Sequence, residues 1–93
     1  MTVLESNIMQ WLTQLVPKAN SFEVRANIGD KGYSVEFFAT IDGIRYQCYD
    51  MIDRGIIKEK DFDAVVTKIV QYFRTTPEYS PGQINKFSFE IAK

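Results

Sequence analysis

The chain has 93 residues, of which 45% are apolar and 14% aromatic, so we expect one folded domain spanning residues 1–93 with a single core. Its formal net charge of −1 provides no field to attract nucleic acid or an anionic membrane, and argues against an acidic mimic of DNA. The chain has one cysteine, no secretory signal at its start and no long apolar run. These features predict a soluble cytoplasmic protein with neither a disulfide nor a membrane span.

The N-terminal residues predict an amphipathic helix. Thr2 and Glu5 have the spacing of a capping box, and Pro17 disfavours helical geometry at the residue before it. Between them, apolar residues recur at three- and four-residue steps, which places them on one stripe. The stripe consists of Leu4, Ile8, Trp11, Leu12 and Leu15. The next segment, Ser21–Ile28, alternates apolar and polar residues as a half-buried strand does.

A hairpin follows the turn at 29–32. Its predicted strands, Tyr33–Ile41 and Ile44–Tyr49, are joined by Asp42 and Gly43, and a two-residue connection of this type fixes the register. Alternate residues then share a face. The predicted inward set is Tyr33, Val35, Phe37, Ala39, Ile41, Ile44, Tyr46 and Cys48. Asp50 breaks this pattern, which predicts the edge of the sheet there.

The second half of the chain predicts a connection, a helix and a last strand. Residues 52–57 are interpreted as the connection, and an apolar stripe predicts a helix from about Lys58 to Arg74. Two prolines mark a loop over 75–82, and Ile84–Ile91 alternates again. The order α-β-β-β-α-β predicts an α+β two-layer sandwich, with a mainly antiparallel four-stranded sheet and two helices on one face. Because the fourth strand returns after a helix, we expect it to lie parallel to the first or the third strand.

Little in the sequence favours catalysis. The chain has no histidine, and Cys48 is predicted to face inward, where burial raises the pKa of a thiol and suppresses its nucleophilicity. The carboxylates between 50 and 63 are expected at a strand end, in a loop and at an exposed helix start, where solubility and the helix dipole account for them. We therefore expect no enzymatic activity, no metal site and no cofactor.

The outward face of the hairpin is the better candidate for function, since exposed aromatic residues among arginines are typical of protein interfaces. The predicted register places Phe38 opposite Gln47, and Tyr49 opposite Glu36. The candidate partner contacts are Phe38, Tyr49, Arg45, Arg25 and Gln47. Two other interpretations stay open: cross-strand pairs that only stabilise the sheet, and self-association into a homodimer through this face or a sheet edge. Bases could also stack on such aromatic rings, but the strand order, the absence of an RNP-type run and the net charge disfavour nucleic acid.

Five segments carry a resemblance to a known family. They are a helix ending at Leu15-Val16-Pro17, the strand Phe22–Ala26, the aromatic strand Tyr33–Phe38, the segment Asp53–Asp63 with its Gly-Ile-Ile and acidic helix start, and the closing strand Asn85–Ile91. In this order they resemble the YezG-like family of bacterial toxin-immunity proteins. The resemblance implies a small cytoplasmic protein that binds and neutralises a toxin domain.

The leading hypothesis is a non-enzymatic protein-binding inhibitor, an immunity protein that occludes the active site of a bacterial toxin. Either the open sheet face or the acidic helix start would cover that site. A phage-encoded inhibitor of a host defence system would have the same features. The alternative class is a small secretion-type chaperone or adaptor, which has a similar order of elements and is usually a dimer.

Overall fold

A computed structural model describes the whole chain, from Met1 to Lys93. Its elements are α1 (Val3–Leu15), β1 (Ser21–Ile28), β2 (Tyr33–Ile41), β3 (Ile44–Gln47), α2 (Cys48–Asp53), α3 (Glu59–Phe73) and β4 (Asn85–Ala92). The strands form one sheet in the order β3-β2-β1-β4, and every neighbouring pair is antiparallel. The α+β fold is therefore confirmed, with a third, short helix that the sequence did not predict. None of the three helices has the combination of length and apolar content that crossing a bilayer requires.

The first helix begins where the capping box predicts. The hydroxyl of Thr2 accepts a hydrogen bond from the N–H of Glu5 at 3.1 Å, and the Glu5 carboxylate accepts one from the N–H of Thr2 at 2.9 Å. These bonds satisfy two amides that a helix start would otherwise leave free, and the bond that the carboxylate accepts from the N–H of Thr2 lowers the pKa of Glu5. The helix ends before Pro17, with Ile8 and Leu12 fully enclosed on its buried stripe.

The core lies between the helices and one face of the sheet, which we call the inner face. Nineteen buried residues form one apolar cluster, to which β1 and β2 contribute alternate side chains and all three helices contribute their apolar stripes. No polar or charged residue is buried. The opposite, outer face of the sheet carries no helix. A chain with one alternating apolar face per strand thus folds into two layers and leaves the outer face exposed.

The predicted third strand is two residues too long. It ends at Gln47, whose side-chain oxygen accepts a hydrogen bond from the N–H of Tyr49 at 2.8 Å and so caps α2. The helical turn carries both Cys48 and Met51 into the core, where neither is exposed, because residues three apart share a face of a helix. Cys48 is therefore buried as predicted, and burial raises the pKa of its thiol, but it does not lie on a strand.

Several predictions about the hairpin and the residues after it are wrong. Tyr49 is not paired with Glu36, because β3 has already ended and Tyr49 lies in α2. Asp50 also lies in α2 rather than at a sheet edge, and the first residues of the predicted connection, Ile52 and Asp53, complete that helix. Tyr33 and Ile44, predicted to face the core, are 53% and 55% exposed because they lie at the open ends of their strands.

The predicted direction of the fourth strand is also wrong: β4 lies antiparallel to β1, with Asn85 opposite Ile28. Helix α3 ends beside the turn between β1 and β2, where the guanidinium of Arg74 donates to the carbonyl of Gly29 at 2.6 and 3.1 Å. The following loop is tied to the same turn, since Asp30 accepts hydrogen bonds from the Tyr79 hydroxyl and from the N–H of Gly82. The chain thus enters β4 at the end of the sheet where β1 ends. Strand β4 therefore runs in the direction opposite to β1.

Candidate functional site

The centre of the outer face is a compact group of charged and aromatic side chains, which we call the arginine–phenylalanine cluster. Phe38 lies on β2 between Glu23 on β1 and Gln47 on β3, and it is directly paired with both. Two residues after Phe38 on β2, Thr40 pairs with Arg45 of β3, and two residues before it, Glu36 pairs with Arg25 of β1. The cluster consists of Glu23, Arg25, Glu36, Phe38, Arg45 and Gln47.

Both arginines of the cluster lie over one aromatic ring. The guanidinium carbon of Arg45 is 3.7 Å from the centroid of the Phe38 ring, and that of Arg25 is 5.1 Å from it. Each arginine side chain remains about half exposed, at 51% and 53%. The cation–π geometry therefore covers the apolar ring with charge while leaving guanidinium N–H groups in solvent.

Glu23 fixes the positions of the two arginines. One of its carboxylate oxygens lies 2.8 Å from a terminal nitrogen of Arg25 and 2.8 Å from a terminal nitrogen of Arg45. Burial raises the pKa of Glu23, but the guanidinium groups of Arg25 and Arg45, with the hydrogen bond that Arg45 donates, outweigh that effect and hold the pKa below its ordinary value. The carboxylate therefore stays ionised at neutral pH and keeps both arginines oriented.

Gln47 has a structural role within the same cluster. Its side-chain oxygen caps α2, and its side-chain nitrogen lies 3.5 Å from the carboxylate of Glu36, a long contact. Glu36 also lies 3.7 Å from Arg25. Two carboxylates and two guanidinium groups make the cluster neutral as a whole, so its attraction for a partner is short-range and directional.

Tyr49 lies on a different surface. Its ring packs edge-on against Phe62 of α3, with the ring centroids 5.5 Å apart, and the residue is 53% exposed. Together with Tyr33, Val35 and Val66 it lines an open groove of about 680 Å³ between the start of β2 and helix α3. We call this the β2-edge groove. The structure thus brings together four of the five candidate contacts and separates the fifth from them.

Glu23 and Glu36 belong to the cluster but were not among the candidate contacts, and Glu23 is the residue that contacts both arginines. The alternation of β1 placed it on the outer side, yet nothing identified it as a partner of the arginines. Pairing Ile28 with Tyr33 across the 29–32 turn, which is the observed register, places Glu23 opposite Phe38. That register is the signal in the sequence that would have found it.

Comparison with known proteins adds no relative from which a function could be transferred. No family model, no curated protein and no solved structure matches the chain. The residues also include no group of three or more histidine, cysteine or carboxylate side chains arranged to hold a metal ion.

Proposed function

We propose that this protein is a non-enzymatic protein-binding inhibitor, an immunity protein that acts in the bacterial cytoplasm by covering the active site of a toxin with its outer sheet face. The observation that carries the proposal is the position of Phe38 beneath Arg45 and Arg25, with both arginines held by Glu23. Aromatic and arginine side chains dominate the binding energy of many protein interfaces.

The fixed geometry of the cluster favours binding because the side chains are ordered before a partner arrives. Immobilising a long, flexible side chain opposes association, and Glu23 has already restrained both guanidinium groups. Each arginine uses a terminal nitrogen on Glu23 and retains other N–H donors that could reach carboxylates or backbone carbonyls of a toxin. The exposed pairs themselves add little to folding stability, so their arrangement is better explained by recognition.

A second support is the order of elements that resembles the YezG-like immunity proteins. The confirmed α+β fold retains that order, with the helix α2 added between β3 and α3. An inhibitor encoded by a phage and directed at a host defence system would use the same surface chemistry. The gene beside this one separates the two: a large toxin gene immediately upstream favours immunity, and a phage gene cluster favours the alternative.

The test is neutralisation of the toxin encoded next to this gene. Wild-type protein co-expressed with that toxin is expected to restore growth, and Arg45→Ala and Phe38→Ser are expected to lose most of the protection. Lys18→Ala is the matched control, because it removes a cation from an exposed position in the loop after α1, outside both the cluster and the acidic start of α3. Circular dichroism and thermal unfolding verify that each variant folds. Full protection by folded Phe38→Ser and Arg45→Ala variants would contradict the proposal.

One observation favours the secretion-type chaperone as a second candidate. Strand β4 spans eight residues and forms an edge of the sheet with no strand beyond it, which is a surface through which two copies could pair. Light scattering coupled to size-exclusion chromatography distinguishes the candidates. A stable dimer at micromolar concentration supports the chaperone, and a monomer supports the inhibitor.

A further inference from the structure

The early end of β3 leaves half of β2 without a partner on one side. The four residues of β3 pair only with residues 38–41 of β2, since the chain turns into α2 at Cys48. Residues 33–37 pair with β1 alone. The sheet therefore has a free edge beside the β2-edge groove, along the first half of β2.

Alternation of the hydrogen bonds shows which backbone groups face that free edge. The N–H of Gly29 bonds the carbonyl of Gly32 at 2.8 Å, so even-numbered residues of β2 bond β1 and odd-numbered residues point the other way. Among the odd residues, Phe37 directs its N–H toward the thiol of Cys48. Tyr33 and Val35 have no backbone partner on this side. Together they present two donors and two acceptors to the groove.

The groove has the dimensions and lining that an added strand needs. Residues 33–36 extend over about 10–13 Å, which accommodates about four residues of an extended segment. The apolar wall consists of Tyr49, Phe62 and Val66, on the helix side of the free edge. A strand added here would direct alternate side chains to that wall and the others to the outer face.

The rim of the groove carries one sign of charge. Glu36 and Asp63 line the groove itself, and Asp53 and Glu59 line an adjoining depression that shares Tyr49 and Phe62 with it. No lysine or arginine lines either, and although Arg25 offsets part of the charge of Glu36 at 3.7 Å, the carboxylates of Asp53, Glu59 and Asp63 make no ion pair. A segment whose solvent-facing residues are lysine or arginine would therefore be complementary, and an acidic segment would be repelled.

We propose that the β2-edge groove binds an extended segment of a partner protein, in which apolar residues alternate with basic ones, as an additional strand on β2. This goes beyond the proposed function, because it adds a second binding surface that does not require the arginine–phenylalanine cluster. Glu36 belongs to both surfaces, so one partner could contact both. A second copy of this chain fits poorly: pairing two β2 edges brings two acidic rims together, and pairing β2 with β4 leaves free edges at both ends.

The test begins with peptides selected from a phage-displayed library of random 12-residue sequences, using the whole chain as bait. We expect the selected peptides to alternate apolar residues with lysine or arginine. The tightest of them, made synthetically, is the probe for affinity measurements by fluorescence anisotropy. Absence of any selected binder, or a consensus without basic residues, would overturn the proposal.

Backbone recognition is tested by replacing the Ser34–Val35 amide with an ester, which removes the Val35 N–H and no side chain. The chain can be assembled for this purpose by chemical ligation at Cys48, its single cysteine. We expect the affinity for the probe to fall about fivefold to tenfold, the loss of one backbone hydrogen bond. The matched control is an ester at Phe87–Ser88, since by the same alternation the Ser88 N–H faces the free edge of β4.

Charge complementarity is tested by Asp63→Lys, which should weaken binding of the probe about threefold to tenfold, against the control Glu78→Lys in the exposed loop before β4. If neither the Val35 ester nor Asp63→Lys changes the affinity for the probe, the proposal that the peptide binds in the β2-edge groove is wrong. If Phe38→Ser abolishes its binding instead, the peptide lies on the outer face, which supports the proposed function and overturns this inference. Concentration-dependent dimerisation that the Val35 ester abolishes would assign the edge to a second copy and would also overturn it.

Discussion

The two faces of the sheet are made by alternate residues of the same strands, yet different forces hold them. On the inner face, Val24, Phe37 and Ala39 are at most 1% exposed and belong to the apolar core cluster. On the outer face, Phe38 is half-buried under two guanidinium groups that a carboxylate fixes. Burial of apolar surface stabilises the inner face, whereas ion pairs and cation–π contacts order the side chains of the outer face. A change on the outer face can therefore alter binding while the fold persists.

The largest effect is expected from truncating Phe37, which faces the core, while its neighbour Phe38 lies on the outer face. Phe37→Ala removes a ring whose centroid lies 6.2 Å from that of Phe22 and 6.0 Å from that of Phe62, and it leaves a cavity in a closed core. We expect the free energy of unfolding to fall by about 3–5 kcal/mol. Urea denaturation followed by circular dichroism measures the change. A loss below about 1 kcal/mol would mean that the inner face does not hold the fold.

A second test addresses the end of the sheet, where an inner-facing position is polar. Asn85 donates to the carbonyls of Ile28, Ser80 and Gln83 at 3.0–3.2 Å, and its side-chain oxygen accepts from the N–H of Ser80 at 2.8 Å. Asn85→Ala removes these hydrogen bonds, and because water can replace the lost partners at the exposed groups of Ser80 and Gln83, it should cost about 1–2 kcal/mol. Amide hydrogen exchange should quicken at the start of β4 first. Gln83→Ala, at an exposed neighbouring position, is the control and should change neither quantity.

The same contrast explains what the sequence could predict. Period-two alternation assigned Phe37, Phe38, Arg25 and Arg45 to their faces correctly, since only strand geometry is needed for that. The end of β3 was missed because Gln47 and Cys48 continue the alternation. Whether such a glutamine stays in a strand or caps a helix depends on burial of Met51, which alternation does not report.

Two further features were not predicted because they depend on contacts between segments that are distant in the sequence. The direction of β4 depends on contacts between the 75–84 loop and the 29–32 turn, and no local pattern encodes them. The bridging role of Glu23 requires the β1–β2 register together with the rotamers of two arginines. Both features arise when distant segments meet.

A smaller effect should follow from truncating the outer phenylalanine. Phe38→Ala removes the ring beneath Arg45 and Arg25 but opens no closed cavity, so the unfolding free energy should fall by about 1 kcal/mol or less. The same urea denaturation, run beside Phe37→Ala, gives the comparison directly. Equal losses for the two variants would show that Phe38 is a structural residue and would remove it from the candidate site.

The smallest effect concerns one carboxyl group. Arg45→Gln removes one of the two cations beside Glu23 and should raise the pKa of that carboxyl, which carbon-detected NMR titration measures. Because the folded-state pKa of Glu23 lies below its unfolded value, its ionised form stabilises the fold above the unfolded pKa. That contribution is lost as the pH falls through the folded value. The variant should therefore lose less stability on acidification than the wild type.

The control for this titration is Arg54→Gln. Arg54 lies over Tyr46, with its guanidinium carbon 5.7 Å from the ring centroid, and it makes no ion pair with Glu23. Its removal changes the net charge equally, so any effect of total charge appears in both variants, and only the contact with Glu23 distinguishes them. If the two variants shift the pKa of Glu23 alike, the carboxylate responds to overall charge and does not hold Arg45. The outer face would then lack the fixed geometry on which its role in binding depends.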